Sequence, residues 1–222
     1  MTRLLPLLLL ALALQLSAQE LVETVPPEAR LTNRILLVLD VSGSMAGPKL
    51  DRAIAAALQV ARQGGDELEV AAVAFAGGCA RWPAPAQEGS DAPPLWVQCP
   101  DEQALAHLLA WLRTPLLADS STHLAPALER ALAEPRDKLS IVIVSDGELH
   151  DAPKALEVLK AGQERREKEG LGAAVVACWT IGAEAPALNE LAREGKGGCW
   201  REELPESAPA PHGPFGPVQG YR

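Results

Sequence analysis

The sequence predicts an α/β fold: a doubly wound, mostly parallel central sheet flanked by helices on both faces, with one short antiparallel edge strand. The prediction rests on largely apolar runs of strand length, at residues 35–39, 68–75, 139–144 and 173–181, which alternate with helical patterns. Such runs are typical of parallel strands that are buried on both faces. With 222 residues, 48% of them hydrophobic, the chain is long enough to bury one sizeable core.

Residues 1–18 have the three parts of a secretory signal peptide. Arg3 provides a positive start, residues 4–14 are apolar, and residues 16–18 form a small-residue cleavage site. Leu16 is less usual than Ala at three positions before a cut, so an uncleaved membrane anchor is the alternative. We expect a secreted or periplasmic protein with no stable membrane span after cleavage, because no second stretch of transmembrane length follows.

The remaining chain divides into a linker at residues 19–32, one domain at residues 33–204, and a disordered tail at residues 205–222 that is rich in proline and glycine. Loss of Arg3 with the signal peptide would change the formal net charge from −9 to −10. A chain of this charge lacks the general basic surface that binds nucleic acid. We therefore expect its partners to be proteins or cations.

The first strand leads directly into a polar loop. Residues 35–45, ILLVLDVSGSM, pass from five apolar residues to Asp40, Ser42 and Ser44. Gly43 allows the sharp turn that lets alternate side chains converge. Carboxylate and hydroxyl oxygens suit a hard cation such as Mg2+, which binds its ligands at about 2.0–2.1 Å. The loop therefore predicts a cation site at the end of this strand.

A helix and a second strand follow this loop. Pro48 suits the first position of a helix, and the glycine pair at residues 64–65 ends it. The apolar face of the helix consists of Leu50, Ile54, Ala57, Leu58 and Ala61. The strand at residues 68–75 completes a β-α-β unit, and such units have parallel strands with a right-handed crossover.

The segment at residues 76–100 is the longest irregular stretch, and only a short piece at residues 95–98 could form an edge strand. Its Trp82 and Trp96 either anchor a partner or cover the edge of the sheet. Long loops in compact domains are usually functional or disordered. Because the second strand should release this loop beside Asp40, we expect the loop to help select a partner.

The second half of the domain continues the alternation. Helices are predicted from Asp101, from residue 124 to residue 134, from Asp151, and at residues 186–194. A charged run within the third of these, QERREKEG at residues 163–170, is predicted to be a solvated face. A short last strand is predicted at residues 198–202.

Two further motifs support the first loop. Ser121-Thr122 leads into a helix, and Ser145-Asp146-Gly147 ends the strand at residues 139–144. In this order, the three motifs resemble those of the von Willebrand factor A (VWA) domain, of the bacterial secreted type, over residues 33–204. The residues that match its metal-ion-dependent adhesion site (MIDAS) are Asp40, Ser42, Ser44, Thr122 and Asp146. Ser145 departs from the pattern, since many members have Thr there.

The resemblance implies a VWA or Rossmann-like fold and a binding function without catalysis. The implied ion is Mg2+ or Mn2+, with Ca2+ as a further candidate. In the family, hydroxyl ligands add no charge, so the ion stays electrophilic and accepts an acidic residue of a partner. We therefore expect a protein ligand that supplies Glu or Asp.

A metal-dependent hydrolase or a phosphatase-like enzyme is the rival class. Ser44 as a nucleophile would need a base such as His123 or His150, but no Gly-x-Ser-x-Gly elbow is present. Phosphatases with an aspartyl nucleophile need a second Asp where Ser42 stands. The two histidines could instead line the rim of the metal site or simply be solvated.

Four cysteines, Cys79, Cys99, Cys178 and Cys199, remain in a chain that we expect to be exported. An even number in an oxidising compartment suggests two disulfides. Three pairings exist, and spacing favours Cys79 with Cys99 and Cys178 with Cys199. A zinc site is a weaker interpretation, because no pair has Cys-x-x-Cys spacing and no histidine lies nearby.

Overall fold

The structure, a computed structural model, describes residues 31–63, 67–77, 79–81, 96–98 and 121–203. The helices in these residues are α1 (Pro48–Gln63), α2 (Ala125–Leu132), α3 (Ala152–Lys168) and α4 (Pro186–Glu194). The strands are β1 (Arg34–Asp40), β2 (Glu69–Phe75), β3 (Cys79–Arg81), β4 (Val97–Gln98), β5 (Leu139–Ser145), β6 (Val175–Ile181) and β7 (Lys196–Glu202).

Several predicted parts of the chain fall beyond these residues. The signal peptide, most of the linker, the helix from Asp101 and the tail lie outside the described residues. Among the helices that the structure does describe, none combines the length and the apolar character needed to cross a membrane.

The strands form one sheet in the order β3-β2-β1-β5-β6-β7, and β4 also pairs with β2. The five strands β2, β1, β5, β6 and β7 are parallel, whereas β3 and β4 run antiparallel to β2. The predicted α/β fold is confirmed. The edge strand expected at residues 95–98 corresponds to β4, and β3 is a second antiparallel strand, too short to show a periodic pattern.

The strand order contains a switch point beside β1. The chain passes from β1 to β2 on one side, and β5 later pairs with β1 on the other. In open α/β sheets, ligands bind beyond the carboxyl ends of the strands at such a point, because the connections diverge and leave a crevice. Asp40 is the last residue of β1 and Ser145 the last residue of β5.

Two apolar layers enclose the sheet. In β1, Ile35 and Leu37 pack in the layer with α1, whereas Leu36 and Val38 pack in the layer with α2, α3 and α4. Successive side chains of a strand point to opposite faces, so β1 contributes side chains to both layers. Trp96 packs against the second layer, with the Arg136 guanidinium 4.6 Å from its ring centre. This position agrees with the covering interpretation of Trp96, whereas Trp82 lies outside the described residues.

One residue of the charged run in α3 is not solvated. Arg166 is 0% exposed, because it falls on the same helix face as the buried Leu159. Its guanidinium donates hydrogen bonds to the carbonyl oxygens of Glu134 and Arg136, both at 2.6 Å, and of Gly172 at 3.3 Å. The prediction of a solvated face is therefore wrong for this residue, because it satisfies three loop carbonyls.

The structure corrects the predicted bond between Cys178 and Cys199. The two residues are register partners on β6 and β7, but both have free thiols. Side chains of parallel register partners stand side by side, whereas a disulfide needs its Cβ atoms about 3.5–4.5 Å apart. Cys178 is buried in the core, and the sulfur of Cys199 lies 3.8 Å from the Thr180 hydroxyl. Cys99 lies outside the described residues, so the other pairing stays a prediction.

Candidate metal centre

The end of β1 fixes a buried carboxylate. Asp40 is 0% exposed, and its Oδ1 accepts a hydrogen bond from the Ser42 backbone N–H at 2.9 Å. Its Oδ2 accepts one from the Ser145 hydroxyl at 2.6 Å, and that hydroxyl accepts one from the Gly147 N–H at 3.0 Å. The Asp40 carboxylate therefore has one orientation, which the end of β5 determines.

The two serines of the loop bring their hydroxyls together. A single turn of 3-10 helix at Gly43–Met45 follows Ser42, which makes no side-chain capping bond to it. The hydroxyl oxygens of Ser42 and Ser44 lie 3.1 Å apart. Met45 is fully buried in the layer with α1 and so anchors the turn. The Asp-x-Ser-x-Ser sequence thus places two hydroxyls beside the Asp40 carboxylate.

Asp146 brings a second buried carboxylate to the same edge. Its side chain is 2% exposed, and it directly follows β5. Burial, and more weakly the negative charge of Asp146, raise the pKa of Asp40 above its ordinary value, although Ser145 and Ser42 donate hydrogen bonds to Asp40. The folded state is therefore destabilised while both carboxylates are charged.

Thr122 is held at this edge through its backbone. Its N–H donates to His150 Nδ1 at 3.0 Å, and its carbonyl oxygen accepts from the His150 N–H at 2.9 Å. The next residue, His123, donates its N–H to the Ala76 carbonyl oxygen just beyond β2, at 2.8 Å. Thr122 is 1% exposed and lies between the end of β2 and the loop after β5.

Asp151 connects the same two loops. Its carboxylate accepts hydrogen bonds from the N–H groups of Leu124 and Ala125, both at 2.9 Å, where α2 begins. It makes no side-chain capping bond to its own helix, α3. The sequence predicted Asp151 as the start of a helix. Its side chain instead caps the preceding helix, α2, and so holds the Thr122 loop in place.

Two histidines, His123 and His150, lie near this edge of the sheet. The rings of His123 and His150 have centroids 5.9 Å apart, and His150 is exposed while His123 is partly exposed. His150 Nδ1 is occupied by the Thr122 N–H, and His123 Nδ1 lies 3.9 Å from an Asp151 oxygen. Within the described part of the chain, no hydrogen bond joins a histidine to Ser44. Both histidines therefore lie beside the Thr122 loop, at the rim.

Two residues at this edge were not predicted as part of the site. Lys49 places its ammonium 2.6 Å from Asp146 Oδ2, and Ser145 orients Asp40. The sequence signal for Lys49 is weak, because a cation in the first turn of a helix opposes the helix dipole but Asp51 lies in the same turn. Ser145 belongs to the Ser145-Asp146-Gly147 motif, but nothing local in the sequence indicates that its hydroxyl orients Asp40.

The donor set fits a hard divalent cation. Over the residues that the structure describes, no three acidic, histidine or cysteine side chains come together as a ligand group. The candidate ligands are instead two carboxylates and hydroxyls, the oxygen donors that Mg2+ and Mn2+ prefer. The ammonium of Lys49 against Asp146 shows that this carboxylate accepts a cation.

The fold and this edge define a class: a doubly wound α/β domain with an oxygen-rich cluster at the switch point between β1 and β5. Among solved structures, the chain is similar to a von Willebrand factor type A protein from Catenulispora acidiphila. The TM-score is 0.55 and the identity 19%, over 78% of this chain and 39% of that chain. This chain therefore spans about two fifths of that protein.

A second similar structure is the N-terminal domain of TFIIH p34, with a TM-score of 0.50 and 14% identity over 78% of this chain and 91% of that chain. Proximal thread matrix protein 1 of the mussel byssus matches more loosely, with a TM-score of 0.47 and 16% identity over 77% of this chain and 41% of that chain. A scan of family models and a search of curated proteins found no match. The likeness to the Catenulispora protein shows that the chain has the VWA fold.

Proposed function

We propose that the domain is a non-catalytic protein-binding module whose contact with its partner includes a divalent metal ion. The ion is Mg2+ or Mn2+, with Ca2+ as a further candidate, and a Glu or Asp of the partner completes its coordination. The residues proposed to hold it are Asp40, Ser42, Ser44, Thr122 and Asp146.

The observation that carries this proposal is the surplus of buried negative charge at the switch point. Asp40 and Asp146 are both buried, and the described residues place a single ammonium, that of Lys49, against them. Uncompensated buried charge is costly. A divalent ion would compensate both carboxylates, and neutral hydroxyl ligands would leave it enough charge to attract a carboxylate from outside.

The proposed setting is outside the cytoplasm. The signal-peptide pattern of residues 1–18 supports export, and the negative net charge argues against nucleic acid as the partner. The loop at residues 76–100 leaves the sheet beside Asp40 and is proposed to help select the partner. Most of that loop lies outside the described residues.

Calorimetric titration with Mg2+ and Mn2+ tests the site. We expect the wild type to bind at least one of the two ions, and Asp40→Asn and Asp146→Asn to abolish binding because each removes a charged ligand. Ser44→Ala removes a neutral ligand and should weaken binding less. Glu148→Gln is the control, since it removes one negative charge from an exposed position two residues beyond Asp146.

A pull-down with and without chelator tests the binding function. Partner capture should depend on the metal and should be lost in Asp40→Asn but not in Glu148→Gln. A wild type that binds neither ion, or that captures its partner equally well in chelator, would contradict the proposal.

A further inference from the structure

The ammonium of Lys49 occupies a ligand atom of the proposed metal site. Lys49 is the second residue of α1, and its Nζ lies 2.6 Å from Asp146 Oδ2. The other oxygen of Asp146, Oδ1, accepts a hydrogen bond from the Glu148 N–H at 3.3 Å. Both oxygens of this buried carboxylate therefore already have a donor.

A metal ion and this ammonium compete for the same oxygen. A divalent ion binds a carboxylate oxygen at about 2.0–2.1 Å. With Lys49 Nζ 2.6 Å from Asp146 Oδ2, an ion bound to that oxygen would be at most about 4.7 Å from the ammonium. Burial of the site leaves little water to screen their repulsion. Coordination by Asp146 Oδ2 is therefore opposed by the ammonium until it moves away.

The lysine is free to make that movement. Its side chain is 28% exposed, whereas that of Asp146 is 2% exposed, so the ammonium can swing into water while the carboxylate stays. The position also opposes the dipole of α1, because cations are unfavourable in the first turn of a helix. Asp146 compensates for this cost only while Lys49 remains beside it.

We infer that Lys49 is a tethered counter-cation, which neutralises part of the metal-free site and must be displaced when the ion binds. This inference rests on the proposed metal site. Asp40 and Asp146 carry two negative charges, and Lys49 reduces the net charge of the metal-free site to −1. A divalent ion that displaces the ammonium brings the summed charge of the two carboxylates and the ion to zero. Lys49 thus raises the metal concentration needed for loading.

Lys49→Met tests the inference, because methionine has a similar length and no charge. Titration with Mn2+ should give a dissociation constant about tenfold lower than that of the wild type, within the usual range of coupling between two ligands. Melting in chelator should give a lower Tm for Lys49→Met, because Asp146 loses its only ion-pair partner in the described part of the chain.

Arg52→Met is the matched control. Arg52 lies on the same helix with a similar exposure, 32% against 28%, and pairs with Glu202 at 3.0 Å rather than with the site. Its loss removes the same charge and should leave the Mn2+ affinity within about twofold of the wild type, since additive effects are expected for sites without shared partners. Lys49→Gln is the second variant if Lys49→Met does not fold, and it too should bind Mn2+ more tightly.

Two failures can be told apart. If the wild type binds Mn2+ and the Lys49 variants bind it no more tightly, the counter-cation role is wrong and the metal site stands. If neither the wild type nor the Lys49 variants bind any divalent ion, the proposed function fails, and this inference fails with it.

Discussion

The amino end of the central sheet and the switch point between β1 and β5 at its carboxyl end differ in how their carboxylates are paired. At the amino end, Glu69 lies 3.0 Å from nitrogens of both Arg34 and Arg136, and Arg136 also lies 3.4 Å from Glu134. Arg34 makes a further ion pair with Asp137. Each of these carboxylates has a guanidinium beside it.

The switch point at the carboxyl end has the reverse balance. Asp40 has hydroxyl and backbone donors but no ion pair among the described residues, and Asp146 has a single ammonium. Paired charge stabilises the amino end, whereas the switch point at the carboxyl end keeps one buried carboxylate, Asp40, without an ion pair in the part of the chain that the structure describes, at a cost in stability. Such a cost is typical of a binding site.

The largest expected effect is a loss of stability at the amino end of the sheet. Arg166→Met should lower the free energy of unfolding by about 3–5 kcal/mol, because it leaves the carbonyl oxygens of Glu134 and Arg136 without this donor. Arg165→Met is the control on the exposed face of the same helix, and surface changes usually stay within about 0.5 kcal/mol. Urea unfolding of both variants measures the difference. Equal losses would show that the buried guanidinium is not what holds this end.

The next largest effect is stabilisation by ion binding at the carboxyl end of the sheet. Ion binding at a hundredfold excess over the dissociation constant should stabilise the wild type by about 2.7 kcal/mol, and Asp40→Asn should lose this gain. In chelator at neutral pH, however, Asp40→Asn should melt no lower than the wild type. The reason is that burial raises the pKa of Asp40, so the folded protein disfavours its charged form.

The sign of the pH dependence follows from the same shift. A carboxyl group with a raised folded pKa gives the fold stability at low pH, and this stability is lost as the pH rises through the folded pKa. The chelated wild type should therefore gain stability relative to Asp40→Asn on acidification toward the ordinary value of 3.8. A constant difference between the two melting temperatures across that range would contradict the assignment.

Gly→Ala variants at two positions, one at each end of the sheet, allow their losses of stability to be compared directly. Gly147 has φ +85° at the carboxyl end, and an added Cβ would lie 2.2 Å from the Ala185 Cβ. Gly170, after α3 at the amino end, has φ +77° with nothing within 4 Å. Both Ala variants carry the cost of positive φ, about 1 kcal/mol, but Gly147→Ala should lose about 1–3 kcal/mol more through the clash. Calorimetric melting measures both, and equal losses would show that the loop after Asp146 can move aside.

The sequence was sufficient for most of the described helices and strands, though not for β3, because their signals are local. Apolar periodicity places α4 at its observed bounds of Pro186–Glu194, and β7 at Lys196–Glu202 begins only two residues before the predicted start. Asp40, Ser42 and Ser44 were likewise predictable as neighbours, because an apolar strand followed at once by a short polar loop is a local pattern.

The missed features depend on contacts between distant residues. Arg166 donates to a carbonyl 32 positions away, and Lys49 meets Asp146 across 97 positions. Asp151 caps a helix that begins 26 residues earlier rather than its own. A charged side chain looks the same in the sequence whether it is solvated or paired, because its environment is decided by the tertiary fold and not by its neighbours.

The smallest expected effect tests whether the amino end is held by its ion pairs at all. Burial alone would raise the pKa of Glu69, but the hydrogen bonds from Arg34 and Arg136 outweigh it, and the pKa lies below its ordinary value of 4.5. A carboxyl group of this kind gives stability above pH 4.5 that is lost as the pH falls through the lowered folded pKa. The side chain is 32% exposed, so solvent screens the ion pairs and limits their contribution to the free energy of unfolding to about 1 kcal/mol or less.

Glu69→Gln should therefore lower the free energy of unfolding by up to about 1 kcal/mol at neutral pH, and the difference from the wild type should shrink on acidification and in about 1 M salt. Urea unfolding across pH measures this difference, and a loss that is unchanged by acid and salt would mean that packing, not charge, is what Glu69 contributes.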